Sequence, residues 1–290
     1  DGSTVWDAHL GDVCDLPRMD EIFKSYKPEI VLHAAAFKHV PLGETNPIET
    51  LRNNVGGTKN IINLALKHKA ESFTLISTDK AVNPSNIMGA SKRIVEMLTM
   101  ASEVEQAGLS ACAVRFGNVL ASAGSVVPLF EEQIARGGPV TVTHKDVNRY
   151  FMTTEEAAAL VLQAAALNEN QAHQDPSIYV LEMGEPVNIA RLARQLIRLR
   201  GFVPDRDIEI EYIDLRPGEK MTEHLTGDKE LLETTYVKGV LQFTGTLDNS
   251  GTVVKRVDTL LKALDARNKP AIRKALKALL PDFETNGGLS

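Results

Sequence analysis

Most of the groups in this chain that could do chemistry fall in one short stretch. Leu75-Ile76-Ser77-Thr78-Asp79-Lys80 ends an apolar run with two hydroxyls, a carboxyl and an amine, and Met88-Gly89-Ala90-Ser91-Lys92 follows soon after. Such groups hold and transfer protons. They lie just past the C-terminal end of a buried strand, where open α/β sheets place their ligands. Lys92 sits near the start of a helix, although a helix N-terminus favours anions. A polar loop with a solvated lysine is the plainer reading of the same residues. His33 and His39 have no partners at ligand spacing, so no metal is expected.

These residues need elements to position them. Residues 29–36, 72–77 and 111–116 are short apolar runs that read as buried strands. Residues 47–67 and 89–106 lie between them, with apolar side chains at helical spacing. Strand alternating with helix predicts an α/β fold, a doubly wound parallel sheet with right-handed crossovers. The second half is more mixed. Residues 140–142 and 208–213 read as short strands, and Asn188 can cap a helix through Leu199 that Gly201 ends. Residues 255–264 and 271–280 read as C-terminal helices around Pro270. Gly124 and Gly137-Gly138 mark turns, which suggests residues 1–122 as a nucleotide-binding domain and 123–290 as a smaller lobe, with some segments returning to the sheet. A dinucleotide fold should open with a strand, a Gly-rich turn and a helix that holds the pyrophosphate. Gly56-Gly57 falls inside a helical pattern and Gly137-Gly138 precedes a strand, so that first βαβ unit is expected upstream of Asp1.

Composition narrows the function classes. The 290 residues are 43% hydrophobic and 24% charged, which is ordinary globular composition. A net charge of −6 argues against a general nucleic-acid surface. The two cysteines, Cys14 and Cys112, form no disulfide framework or metal motif, which suits a reducing, cytoplasmic setting. No apolar run reaches the ~18 residues of a membrane span. The best, residues 157–167, is interrupted by Gln163 and follows the capping box Thr153-Thr154-Glu155-Glu156. The polar N-terminus is not a signal peptide.

Several motifs together carry a resemblance. They are His33-Ala34-Ala35-Ala36-Phe37-Lys38-His39-Val40-Pro41, Asn53-Asn54-Val55-Gly56-Gly57-Thr58, Ser77-Thr78-Asp79-Lys80-Ala81-Val82-Asn83-Pro84 and Met88-Gly89-Ala90-Ser91-Lys92-Arg93. Arg115-Phe116-Gly117-Asn118-Val119, Arg149-Tyr150-Phe151-Met152-Thr153 and Leu215-Arg216-Pro217-Gly218-Glu219-Lys220 continue the series. In order and spacing the chain resembles the UDP-N-acetylglucosamine 4,6-dehydratases of polysaccharide biosynthesis, within the extended short-chain dehydrogenase superfamily. The likeness covers most of residues 10–225. The run Met183-Gly184-Glu185-Pro186-Val187-Asn188 is closer to the long, membrane-anchored, C5-retaining branch.

The resemblance implies a Rossmann-like fold, NAD as cofactor, a UDP-sugar as substrate and a homo-oligomer. It implies oxidation of the sugar at C4, loss of the C5 proton and the C6 hydroxyl, and return of the hydride to C6. By position Asp79 is the acid at C6 and Lys80 the base at C5. A lysine serves as a base only if burial or a neighbouring cation lowers its pKa, and Lys92 is the candidate neighbour. Lys92 also falls on the nicotinamide ribose and Thr78 near the C4 hydroxyl. Met88 stands where the superfamily has its tyrosine base, which leaves Thr78, Asp79 or an ordered water for the C4 proton. For the cofactor the resemblance points to Asp12 and Val13, at the end of a predicted strand, to Ala34, Ala35 and Ala36, and to Asn54. For the substrate it points to Arg216 and Asn118 at the diphosphate, Glu219 at the ribose, Lys38 at the sugar end and Arg149. The strand 140–142 falls where relatives pair backbone with uracil. A 4-epimerase needs a tyrosine at position 88 and no acid–base pair; a non-catalytic binding protein has only Met88 in its favour.

Overall fold

The computed structural model describes residues 5–101, 104, 108–120, 122, 124–170, 177–227, 230–244, 252–284 and 289. In chain order the strands are β1 (Ile30–His33), β2 (Ser72–Ile76), β3 (Ser110–Arg115), β4 (Asn118–Val119), β5 (Val140–Val142) and β6 (Asn148–Arg149). There follow β7 (Phe151–Met152), β8 (Ser177–Leu181), β9 (Val187–Asn188), β10 (Ile210–Tyr212), β11 (Leu232–Thr234) and β12 (Val240–Phe243). The helices are α1 (Leu16–Tyr26), α2 (Val40–Thr45), α3 (Pro47–Leu51), α4 (Gly57–Lys67) and α5 (Ile87–Thr99). Beyond them lie α6 (Val126–Ala135), α7 (Thr154–Asn170), α8 (Ile189–Leu199), α9 (Val253–Asp265) and α10 (Lys269–Leu279).

Six strands form the main sheet in the order β1-β2-β3-β8-β12-β11. The first four run parallel, as the alternation of strand and helix predicts. The last two reverse: β12 is antiparallel to β8 and to β11. A few residues join β11 to β12, enough for a hairpin and far too few for a parallel crossover. Both faces are covered along β2, β3 and β8, whereas β1 leaves Ile30 and Leu32 exposed. In β3, Ala111 and Ala113 pack into a cluster with α1, α4, α5, α9 and α10, while Cys112 and Val114 pack with α7. That two-sided burial explains why the strands read as unbroken apolar runs. Burial raises the Cys112 thiol to about 12, which makes it an inert packing residue. A third cluster joins α6, β5, α8 and β10 into the smaller lobe.

Most expected elements form. Asn188 caps α8 through the amide of Arg191, and Gly201 beyond it has φ of 84°. Thr153 and Glu156 exchange backbone and side-chain bonds of 2.8 and 3.1 Å, a complete capping box for α7. Some expectations need correction. The strand expected to end at Gly11-Asp12-Val13 does not form; residues 5–13 belong to no strand, and Trp6 and Leu10 are exposed. A strand requires a ladder partner, and these residues have none among those described. The strand expected over 29–36 stops at His33, because Asn54 binds the Phe37 backbone and pulls the chain out of the ladder. The helix expected over 47–67 is broken by a π-turn, Arg52–Gly56. The helix expected to reach Gln106 ends at Thr99, and Gln106 itself lies outside the described residues. Among the described residues no helix is long and apolar enough to cross a membrane.

Candidate active site

A cleft of about 490 Å³ opens between the C-terminal ends of the parallel strands and the smaller lobe. The ends of β1, β2 and β3 deliver residues to it. The turn after β1 contributes Ala34, Ala36 and Lys38, the turn after β2 contributes Thr78 and Lys80, and the chain after β3 contributes Asn118. Met88 and Lys92 reach it from α5. Across the opening lie Arg149, Arg216, Glu219 and Glu223. This is the crevice at strand ends where open α/β sheets bind ligands.

The proton-handling residues form one connected group. Lys80 Nζ donates to Asp79 Oδ1 at 2.8 Å and to Asn118 Oδ1 at 3.3 Å. Thr78 Oγ1 donates to the same Asp79 oxygen at 2.8 Å. Asp79 is fully buried behind its two neighbours, and its Oδ2 has no partner among the described residues. Lys80 is thus paired with a carboxylate, whereas the sequence reading looked to the cation Lys92 as its neighbour.

Lys92 lies on the cleft floor, nearly buried, with Nζ donating to the Ile76 carbonyl at 2.9 Å. Burial lowers its pKa to about 8, and Glu96 pulls it back upward. That carbonyl explains how the cation is tolerated near the start of α5. The amine has three donors and one is spent here, so a ligand can take others. Burial, then Lys92, lowers His33 to about 4, and this neutral ring bonds Thr58 at 2.9 Å. With Ala34 and Ala36 forming a wall without bulk, this corner fits the nicotinamide end of a dinucleotide.

Local packing sets the geometry. Asn86 caps α5 through the amide of Gly89, and Glu44 of α2 accepts from the amide of Ile87 at 2.7 Å. A Cβ on Gly89 would stand 2.2 Å from the Lys80 carbonyl oxygen, so only glycine lets α5 approach the 77–80 turn. Met88 is buried beside Gly43 and carries no group that takes a proton. Behind the turn, Arg115 binds Glu96 through two bonds of 2.7 and 2.8 Å and Glu230 at 2.6 Å. Ser77 also donates to Glu96, at 2.6 Å. Burial opposes the charge of Glu96, but Arg115 more than offsets it and holds the carboxyl below its ordinary range.

Other expected residues take different positions. Arg149 lines the cleft, yet its guanidinium is spent on the carbonyls of Asn148, Lys220 and Met221 at 2.7 to 3.0 Å, so it holds the 216–221 loop. Arg216 and Glu219 face each other at 2.7 Å. Lys220 fastens the same loop to the carbonyls of Val82 and Asn83. Lys38 donates to Ser122 at 3.3 Å. Thr141, Val142 and Thr143 line the cleft, and β5 pairs with β10. Asn54 stands behind the wall, bonding Phe37 and Ser91. Asp12, Val13 and Ala35 are outside the lining; Asp12 caps a turn through Cys14, and Val13 packs on Gly57. Sequence reasoning missed Ser125 and Glu223, which line the cleft and each bury an oxygen that has no partner among the described residues.

Comparison with known proteins follows the same lines. The profile of a family described as "Polysaccharide biosynthesis protein" matches residues 3–244. The chain belongs to that family. It is 52% identical over 222 residues to the capsular polysaccharide biosynthesis protein CapD of Staphylococcus aureus, covering 77% of this chain and 36% of CapD. The chain therefore spans little more than a third of that relative's length. The structure of Pen from Bacillus thuringiensis matches with a TM-score of 0.72 at 30% identity, over 83% of this chain and 72% of Pen. A UDP-glucose 4-epimerase of Thermus thermophilus, solved with NAD, matches at 0.64 and 20% identity, over 73% of this chain and 74% of its own. At that identity the likeness shows the fold, a Rossmann-like one. The chain is also 35% identical over 225 residues to a UDP-glucose 4-epimerase of Rickettsia massiliae, covering 77% of this chain and 62% of that protein.

Proposed function

We propose that this protein is an NAD-dependent 4,6-dehydratase that converts UDP-N-acetylglucosamine to a UDP-4-keto-6-deoxy-N-acetylhexosamine with retention at C5. The observation that carries the reading is the connected group Thr78–Asp79–Lys80, in which Thr78 and Lys80 line a strand-end cleft and Asp79 is buried behind them. A 4-epimerase needs no acid and base beyond the one at C4, whereas a dehydratase needs a further pair. NAD, when bound, supplies the acceptor and later the donor of the hydride. Lys92, Ala34 and Ala36 would hold its nicotinamide end.

The resting ion pair suggests an order of proton movements. Thr78 takes the proton of the C4 hydroxyl and passes its own to Asp79 along their 2.8 Å hydrogen bond. Asp79 becomes neutral and is then the acid for the departing C6 hydroxyl. Lys80, as the free amine, is the base at C5 and hands a proton back to C5 at the end. The proton taken from C4 leaves in the eliminated water, and Lys80 reprotonates C5 after its amine has exchanged with water, so the hydrogen at C5 comes from solvent. Arg216 binds the diphosphate, Glu219 the ribose hydroxyls, and Asn118 and Lys38 face the diphosphate and sugar.

The test is to incubate the full-length protein with NAD and UDP-N-acetylglucosamine and identify the product by mass and NMR. Loss of one water with a C4 ketone and a C6 methyl is expected. A C4 epimer of unchanged mass would replace the dehydratase reading with an epimerase.

A further inference from the structure

Among the described residues, three bury a side-chain oxygen without a hydrogen-bond partner: Asp79, Ser125 and Glu223. Asp79 belongs to the proposed chemistry, and Ser125 opens α6 on the cleft wall. Glu223 has no part in either. It is 2% exposed, lines the cleft, and has no cation within ion-pair distance among the described residues. Its backbone is held on both sides. Asn148 and Arg149 bind the Met221 carbonyl, Thr222 bridges to Asn148, and Met221 and Leu225 pack into separate apolar clusters. The carboxyl group therefore cannot turn to bulk water without undoing that packing. A buried polar atom left unmet costs stability, and such costs are retained where a ligand meets them.

We infer that Glu223 is a ligand-binding residue whose carboxyl accepts a hydrogen bond from a hydroxyl or amide N–H of the nucleotide sugar. An ionised carboxyl is acceptor-only, so it repels the phosphates and takes the donors of the ribose or the hexose. This rests on the reading of the cleft as a nucleotide-sugar site.

The test uses Glu223→Met and Glu223→Gln in the full-length protein. Each is titrated calorimetrically with UDP and with UDP-N-acetylglucosamine, and each unliganded protein is melted. Glu223→Met should bind UDP-N-acetylglucosamine about 10- to 100-fold more weakly, the range for a hydrogen bond to a charged group. It should also melt higher than wild type without ligand, because the unmet oxygen is gone. Glu223→Gln, which keeps the shape and one acceptor, should recover part of the affinity. An equal loss for UDP assigns the donor to the ribose; a loss confined to the sugar nucleotide assigns it to the hexose. Unchanged affinity in Glu223→Met, or a glutamine variant no better than methionine, overturns the inference. If wild type binds neither probe, the nucleotide-sugar reading fails as well.

Discussion

At the scale of single residues, the site is a set of charges whose protons are placed by their neighbours. Lys92 is the clearest case. Its pKa is lowered to about 8 from 10.5 by burial. The folded state therefore disfavours the cation; that cost is present below pH 8 and disappears as pH rises toward 10.5. If the cation holds the cofactor, activity should fall on the alkaline side with an apparent pKa near 8, read from a pH profile of kcat/KM. A profile that stays level through that range would show the charge is not needed. Thr78→Val should cut turnover by about 100- to 10,000-fold, since it removes the relay to Asp79. Met88→Leu should change stability by less than about 1.5 kcal/mol and keep much of the activity. Thr78, Asp79, Lys80 and Lys92 were legible in the sequence because they are close in the chain and sit at the end of an apolar run. The pairing of Lys80 with Asp79 and Asn118 was not, because Asn118 arrives from another strand. Glu223 had no signal at all: one glutamate in a polar segment becomes notable only through the tertiary packing that buries it.

At the scale of elements, the site depends on how closely α5 and the 216–221 loop approach the strand ends. Gly89→Ala places a methyl group against the Lys80 carbonyl, which must move. The variant should lose about 1–3 kcal/mol of stability and a larger share of its activity, measured by denaturant unfolding beside a turnover assay. Arg149→Lys keeps the charge but cannot bind three carbonyls from a planar fork. It should raise KM through a loosened 216–221 loop, with kcat less affected; a collapse of kcat at constant KM would place Arg149 at the reacting atoms. The helices were readable where caps mark them, at Asn188 and Thr153. The π-turn at Arg52–Gly56 was not, since its residues keep helical spacing and only the demand of Asn54 on Phe37 reveals it.

At the scale of the whole molecule, the buried Glu96–Arg115–Glu230 group joins α5, β3 and the segment before β11 behind the 77–80 turn. Arg115→Met would leave buried Glu96 with Arg93 alone as its cation and should cost up to about 3–5 kcal/mol. Because the Glu96 carboxyl is held below its ordinary range of 4.5, its contribution is present above that pH and is lost as pH falls through the folded value. The account's central claim, though, is the division of labour between Asp79 and Lys80. The measurement that tests it most directly follows washout of deuterium from C5 of UDP-N-acetylglucosamine in ordinary water, using the full-length protein and its Lys80→Ala and Asp79→Ala variants. Lys80→Ala should retain the deuterium while NADH still forms, whereas Asp79→Ala, which also removes the acceptor for the Thr78 proton, should slow NADH formation, washout and departure of the C6 hydroxyl together. Washout at the wild-type rate in Lys80→Ala would contradict the account and leave the C5 base to be sought elsewhere in the cleft.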